Sequence, residues 1–514
     1  MLAVRRPLRQ ADGAKLLNTK EVGIKRREFI KTMGAAALMM AQPDLLRAAA
    51  VAGRRPHIII LMPDQMRSDC ISGAGHPQIR TPNFDRLAAE GVRFAEAHTV
   101  SPVCMPARAS FINGLYPHNH HMWENRGRMP PDDETFFHHL QAAGYYTGHI
   151  GKAHYYPPDG RHLRESEDYM RARGLRYVHE TTGPWATLNT DSYLTDHWQS
   201  LGLVEVFRDD YRARQKAGPL LVRPSPLPAE EFPDSYVGRR AMEFIEGYER
   251  DEPMALFVGF GGPHEPWDAP GAYATMYDPA ETPPPIPAGE AGDWLPVAVR
   301  DRARHGLVAG MTLDHVAAIR ANYYGKISIV DHWVGEILGA LERRGWMDDT
   351  IIVVWSDHGE MAGDHGRLHK NIFFRSAVNV PLIVRWPGRV PAGRMSNALV
   401  EIIDVFPTLL EGLGLPPSKR CLGRSLWPVL TDPERPHREA VFSEVDTQGT
   451  HGTMVRTERF KYAVDQDGLG YQLFDLETDP QEQRNLIGHP DYSTAEAELR
   501  DRLARFHLKA QVWH

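Results

Sequence analysis

Three stretches of this chain run wholly apolar and then turn polar almost at once. Ile58–Met62 gives way to Asp64 and Gln65, Phe257–Phe260 leads to His264, and Ile351–Trp355 leads to Asp357 and His358. Runs this short, rich in branched residues and lacking an i, i+2 polar alternation, read as strands buried on both faces of a parallel sheet. Parallel strands bring whatever follows their C-terminal ends to one edge, where α/β proteins bind ligands. The pattern therefore predicts both an architecture and a place on it.

Helical segments and glycines alternate with these runs. "TPNFDRLAAEGVRF" reads as a helix capped by Asn83, with Phe84 and Leu87 facing inward and Gly91 stopping it. "FFHHLQAAGYYTGHIGKAH", "YVGRRAMEFIEGYERDEPMALFVGF" and "ISIVDHWVGEILGALERRGWMDDTIIVVWSDHGE" repeat the rhythm, the last two with strands at Ala255–Phe260 and Thr350–Trp355. The expected fold class is α/β: a large mixed, mostly parallel sheet sandwiched by helices. Beyond "CLGRSLWPVL" the rhythm changes. "REAVFSEV", "GTMVRTERFKYAV" and "GYQLFDLETD" read as short antiparallel strands, and residues 493–508 as a final helix. A boundary near residue 420 thus separates a catalytic domain, 51–420, from a smaller C-terminal α+β subdomain, 421–514. Residues 155–235, rich in charge, Trp and Tyr, read as an irregular insertion near the mouth of the site. Residues 263–300, rich in proline, read as a surface loop.

The first 50 residues stand apart. "KRREFIKTMGAAALMMAQPDLLRAAA" places Arg26-Arg27 before a short apolar stretch that ends in three alanines. It resembles a twin-arginine export signal cleaved after Ala50, with a basic amphipathic helix as the plainer alternative. The apolar part is too short for a permanent membrane span. An exported chain of this kind acts in the periplasm or outside, with the twin-arginine machinery as a partner. At 514 residues the chain is long enough for a large core. A net charge of −7 and the lack of a basic, aromatic-interleaved patch argue against nucleic acid. Three cysteines, Cys70, Cys104 and Cys421, make no disulfide framework. A Cys70–Cys421 bridge is open to the chain; free thiols are the expectation.

At the sheet edge the strand ends deliver two carboxylates, an amide oxygen and an imidazole: Asp64, Gln65, Asp357 and His358. Donors of this kind suit one divalent cation. Their oxygen content favours calcium or magnesium, and the imidazole leaves manganese or zinc open. Each Asp–X pair alone is as readily a helix cap.

Cys104 lies in "SPVCMPARAS", which is C-x-P-x-R through Arg108, followed by "ASFINGLYP". With "TPNFDRLA", "GKAH" at 151–154, "GGPHEPW" at 261–267, "SDHGEMAGDHG" at 356–366 and "LFDLETDPQEQRNL" at 473–486, this resembles the sulfatase family over most of residues 56–500. The resemblance implies an alkaline-phosphatase-like fold and hydrolysis of sulfate monoesters to sulfate and an alcohol. It implies that a maturation enzyme oxidises Cys104 to formylglycine, whose hydrate attacks sulfur. It further implies that Asp64, Gln65, Asp357, His358 and the modified Cys104 bind the metal, calcium first, then magnesium or manganese. Arg108 would hold the hydrate, Lys152 and His154 would flank it, and His264 and Lys370 would hold the sulfate and protonate the leaving oxygen. Arg375 and His369 carry weaker support as lining residues. The chain departs from many sulfatases, which have two adjacent aspartates where it has Asp64-Gln65 and asparagine where it has His358. The Asp-Gln and Asp-His versions occur in choline-sulfatase-like enzymes and in phosphonate monoester hydrolases. A phosphonate monoester or phosphodiester hydrolase is therefore the alternative reading. A non-catalytic binding protein on the same scaffold is a third.

Overall fold

The protein is described by a computed structural model covering residues 55–511, apart from 131, 290, 291, 293, 296–298, 300–306, 448 and 449. The export signal expected within residues 1–50 lies outside the described residues.

The apolar runs are the middle of an eight-stranded sheet. Its strands are β1 (His57–Asp64), β2 (Val92–Phe94), β4 (Tyr146–Lys152), β5 (Tyr177–Thr181), β6 (Met254–Pro263), β7 (Thr350–Trp355), β8 (Leu382–Arg385) and β9 (Arg394–Ser396). Their order is β5-β4-β6-β1-β7-β8-β2-β9. The five strands from β5 to β7 are parallel, with Ile58 opposite Ala255 on one side and Ile351 on the other. β8 runs antiparallel to β7 and β2, and β9 pairs parallel with β2. The sheet is mixed and mostly parallel, as the sequence predicts. The short strands β3 (Ala97–His98) and β10 (Val400–Glu401) pair with each other.

Two-sided burial explains the unbroken apolar runs. Ile58, Ile60 and Met62 pack into a core with Phe257, Val353 and Trp355, under the Cys104–Asn113 helix. Ile59 and Leu61 face the other way, with Leu256, Val258, Ile352 and Val354, against the long Leu313–Arg343 helix and the Pro233–Glu246 helix. Each such aliphatic side chain contributes about 1.5–3 kcal/mol by leaving water. This packing holds the strand ends rigidly enough to aim polar groups.

A second sheet, β11 (Ala440–Thr447), β12 (Thr450–Thr457), β13 (Phe460–Asp465) and β14 (Gly470–Asp475), is antiparallel throughout. The Ser493–Lys509 helix covers it through Leu499 and Leu503, which pack with Val455, Tyr462 and Leu473.

Several expectations need correction. The 82–91 helix spans Pro82–Ala89 and its cap is Thr81, because Pro82 sets the first helical turn; Asn83 instead donates to Asp331 through its side chain. Phe84 and Leu87 do face inward. "GTMVRTERFKYAV" holds two strands, with a hairpin turn at Glu458-Arg459. Residues 155–235 are not irregular: they supply edge strand β5 and the helices Tyr193–Leu201 and Val204–Ala217. Cys70, Cys104 and Cys421 are all free thiols, as expected. No described helix is long and apolar enough to cross a membrane.

Candidate active site

The C-terminal ends of β1, β4, β6 and β7 meet the first turn of the Cys104–Asn113 helix. Asp64 closes β1 and is fully buried, as are Asp357 and His358 just beyond β7. Cys104 is the first residue of its helix, so its Sγ sits where orphan backbone N–H groups and the helix dipole favour negative charge. Single donor atoms of Asp64, Cys104, Asp357 and His358 all lie within 4.8 Å of one another. The Cys104 Sγ is 3.0 Å from His358 Nε2 and 4.0 Å from Asp64 Oδ1.

His358 is oriented for a ligand. Its Nδ1–H donates to the Gly359 carbonyl at 2.9 Å, which leaves the Nε2 lone pair aimed at the cluster, 3.8 Å from an oxygen of both Asp64 and Asp357. Two carboxylates, one imidazole and a polar group at position 104, all dry, are a donor set that one divalent cation fits.

Arg108 binds this cluster from behind. Its Nε donates to Asp357 Oδ2 at 2.8 Å, one terminal nitrogen to Asp64 Oδ2 at 3.0 Å, and the other to the Lys152 carbonyl at 2.7 Å. Lys152, at the end of β4, also pairs with Asp64. That strand end is tightly fitted: a Cβ on Gly259 would lie 2.3 Å from the Lys152 carbonyl oxygen. Burial would raise the Asp64 carboxyl, but Lys152 and Arg108 together hold it well below the usual carboxylate range. Burial would likewise raise the Cys104 thiol, and the charges of Lys370 and Lys152 push it well below its ordinary value. The pocket around position 104 therefore stabilises a negative oxygen or sulfur.

Lys370 and His264 close the other side. The Lys370 ammonium lies 2.7 Å from His264 Nε2 and also bonds the Gln65 amide oxygen. His264 Nδ1–H donates to the Glu265 carbonyl at 2.7 Å, so Nε2 is the accepting nitrogen toward Lys370. Burial would lower the Lys370 pKa, but Cys104, Glu265 and Asp64 raise it above its usual value, so it is charged. Burial holds the His154 imidazole down at about 4, so it is neutral near pH 7.

Gln65 has a left-handed backbone, φ 67°. Its N–H donates to Asp357 Oδ1 at 2.9 Å, and its carbonyl accepts from Tyr323 at 2.6 Å. These bonds hold a conformation that a non-glycine residue rarely adopts. Its side-chain NH2 donates to Glu265 at 2.7 Å and to Glu360. The amide oxygen therefore faces Lys370, with one further lone pair available. Glu265 and Glu360 escape a reading of the sequence. Their signal is position: each lies within a few residues of a strand end that delivers a site residue. Asn125 escapes it too; its Oδ1 accepts the Met105 N–H at 3.0 Å, at the mouth beside Cys104. Of the two weaker candidates, His369 pairs with Glu265 at 3.4 Å, whereas Arg375 turns away to Glu96.

Glu180, next to the end of β5, supports the His154 turn from beneath. Burial raises its carboxyl to about 8, against an opposing 2.6 Å bond from Tyr156. The folded state thus keeps a proton that the unfolded state loses above about 4.5. Stability should fall as pH rises from about 4.5 to 8, by up to ~1.4 kcal/mol per unit, and level off above. Urea melts at pH 5, 6.5 and 8 should show a flatter profile in Glu180→Gln than in the wild type.

With this geometry in view, comparison with known proteins is direct. The family model described as Sulfatase matches residues 56–415, and one described as N-sulphoglucosamine sulphohydrolase, C-terminal, matches 363–509. An arylsulfatase of Clostridium perfringens is 29% identical over 458 residues, 85% of this chain and 91% of that protein. A choline-sulfatase of Rhizobium meliloti is 30% identical, covering 85% of this chain and 83% of the relative. The crystal structure of the phosphonate monoester hydrolase of Agrobacterium radiobacter superposes with a TM-score of 0.77 at 28% identity, over 89% of this chain and 96% of that one. The chain belongs to the sulfatase family, within the alkaline-phosphatase-like superfamily. It is a sulfuric ester hydrolase, acting on sulfate esters.

Proposed function

We propose that the chain releases inorganic sulfate from sulfate monoesters at the position of Cys104. The observation that carries this reading is the convergence of Asp64, Cys104, Asp357 and His358 on one buried point, with Arg108 and Lys152 behind it. Asp64, Asp357, His358, the second lone pair of the Gln65 amide and the modified side chain at 104 would hold one divalent cation. Calcium is the first choice, with magnesium or manganese next. When bound, the cation supplies positive charge that polarises a sulfate oxygen and lowers the pKa of a neighbouring hydroxyl. Formylglycine at 104, made by a maturation enzyme, supplies a hydrated aldehyde: one hydroxyl attacks sulfur, and the other lets the carbonyl re-form as sulfate leaves. The Sγ of the encoded cysteine stands in for those hydroxyl oxygens.

The rest falls to the chain's own groups. Asp357 receives the proton of the attacking hydroxyl. Lys370 and His264 hold the sulfate, and their shared proton passes to the departing alkoxide oxygen. Neutral His154 takes the proton released when the carbonyl re-forms. Arg108 holds the Asp64 and Asp357 side chains in register.

A phosphonate monoester or phosphodiester hydrolase is the second reading, favoured by the likeness to the Agrobacterium enzyme and by the Asp-Gln and Asp-His pairs. The matured protein, assayed side by side on an aryl sulfate, a sulfated sugar and a phosphodiester, should prefer a sulfate monoester. A far higher kcat/KM for the phosphorus ester would reverse the choice. Chelation should remove activity, and readdition of calcium should restore it; full activity after exhaustive chelation would exclude the cation. A mass measurement of the tryptic Cys104 peptide from the native host should show an aldehyde in place of the thiol. An intact thiol in fully active protein would overturn the formylglycine.

The cellular setting is proposed from the sequence: residues 1–50 act as a twin-arginine leader and the enzyme works in the periplasm or outside. In the same proposal residues 51–420 are the catalytic domain and 421–514 a smaller subdomain. Segments 155–235 and 263–300 shape the substrate entrance, and a small or carbohydrate sulfate ester is the proposed substrate class.

A further inference from the structure

We propose a second metal site, for zinc, at His118, Glu444 and His507, which shares no residue with the strand-end cluster and is independent of the catalytic reading. These residues come from three separate segments: the Pro117–His120 helix, strand β11 and the Ser493–Lys509 helix. One nitrogen of each imidazole and one Glu444 oxygen lie within 4.8 Å of one another. His118 Nδ1 is 2.8 Å, and His507 Nδ1 3.9 Å, from the same Glu444 Oε1. In tetrahedral zinc sites with bonds of about 2.0–2.2 Å, neighbouring ligand atoms sit roughly 3.3 Å apart. Both separations are within about half an ångström of that value.

The surrounding bonds orient His118 and Glu444. The Ala510 carbonyl lies 3.1 Å from His118 Nε2, and a carbonyl can only accept, so that nitrogen carries hydrogen. This is how a metal-bound histidine is usually fixed: one nitrogen on a carbonyl, the other on the ion. His507 Nε2 lies 3.3 Å from the Thr453 hydroxyl, which can donate or accept, and His507 Nδ1 faces Glu444. The other Glu444 oxygen accepts the His118 backbone N–H at 3.0 Å. His118 Nδ1 and Glu444 Oε1 thus face each other with lone pairs, so a cation lies between them, and His507 Nδ1 is placed to share it. A proton on His118 Nδ1 satisfies one pair; an ion satisfies all three. Two imidazoles and one carboxylate are a zinc donor set, and they leave a position for water. Glu444 is buried, and the His507 side chain is 40% exposed, so an ion has a path in. Bound there, zinc would tie the C-terminal helix to β11 and to the segment just after the Cys104 helix.

The test uses the full-length protein with zinc alone as probe, counted by native mass spectrometry during titration. Wild type should take up one zinc more than His507→Ala. Glu444→Gln should lose the same equivalent, and Thr453→Val should weaken it by about tenfold or more. Zinc should raise the melting temperature of wild type by more than it raises that of His507→Ala. Aryl-sulfate turnover of matured His507→Ala should be unchanged, which separates this site from the catalytic one. Equal zinc counts in wild type and His507→Ala would mean that a proton fills the gap, and would overturn the proposal. So would loss of that equivalent in Asp64→Asn with retention in Glu444→Gln.

Discussion

Cys104→Ser should fold, keep its metal and lose steady-state sulfate release by a factor on the order of 10³ or more. Position 104 is buried at the start of a helix, where serine is a close steric match and an acceptable first-turn residue, so the fold should survive. The surrounding cations are unchanged, and they favour an oxyanion as much as a thiolate. A serine hydroxyl can therefore still attack sulfur. It has no second hydroxyl with which to expel the sulfate, so the reaction should stop with the ester on the serine. The expected record is distinctive: alcohol released in a single burst of one equivalent, no free sulfate, and a protein mass increased by one sulfonate. Cys104→Ala should give neither burst nor turnover. Continuous sulfate release by the serine variant at the wild-type rate would show that a lone hydroxyl suffices, and the diol would have no role.

What the sequence discloses depends on how local the cause is. Ile58–Met62, Phe257–Phe260 and Ile351–Trp355 are legible because burial on both faces leaves an apolar run that nothing else explains. Asp64, Asp357, His358 and His264 are legible because they follow such runs directly. The roles proposed for Cys104, Arg108, Lys152 and Lys370 come from the family's motifs; Lys370 alone reads as a solvated lysine, and its place after "DHGRLH" is what lifts it. Other features were hidden for physical reasons. The hairpin at Glu458-Arg459 lacks the Gly, Asn or Pro that marks a turn. The helices within 155–235 were masked by dense charge, although Phe207 and Tyr211 recur at i, i+4 on the buried face. The direction of the Gln65 amide is set by Glu265, Glu360 and Lys370, which lie 200, 295 and 305 residues away. No local pattern can encode such a choice. The His118, Glu444 and His507 cluster is non-local in the same way, since each ligand by itself resembles an ordinary surface or strand residue.

The same reasoning makes Arg108 the side chain whose loss should do the most combined damage to stability and rate. It is almost wholly buried, and its fork meets three acceptors at once: Asp64, Asp357 and the Lys152 carbonyl. Arg108→Ala leaves two dry carboxylates facing each other with Lys152 the main remaining compensation at Asp64. Breaking a buried ion pair from one side costs about 3–5 kcal/mol, so the apo variant should show a markedly lower urea midpoint. Asp64 is held low partly by this guanidinium, against the effect of burial. A depressed carboxylate contributes stability above its unfolded pKa of 3.8 and loses it as pH falls through the folded value. Without Arg108 the folded value rises, so acid unfolding should begin at higher pH. Excess divalent cation should recover part of the lost stability, because it replaces the missing positive charge and binds the folded state alone. Arg108→Lys separates charge from geometry. One ammonium restores the charge but cannot span three acceptors in a plane, so its midpoint should recover more than its kcat, which should stay lower by about 10². A lysine variant with wild-type kcat would show that the site needs a buried charge and not a fork. The carboxylates would then be held in register by the strand ends themselves.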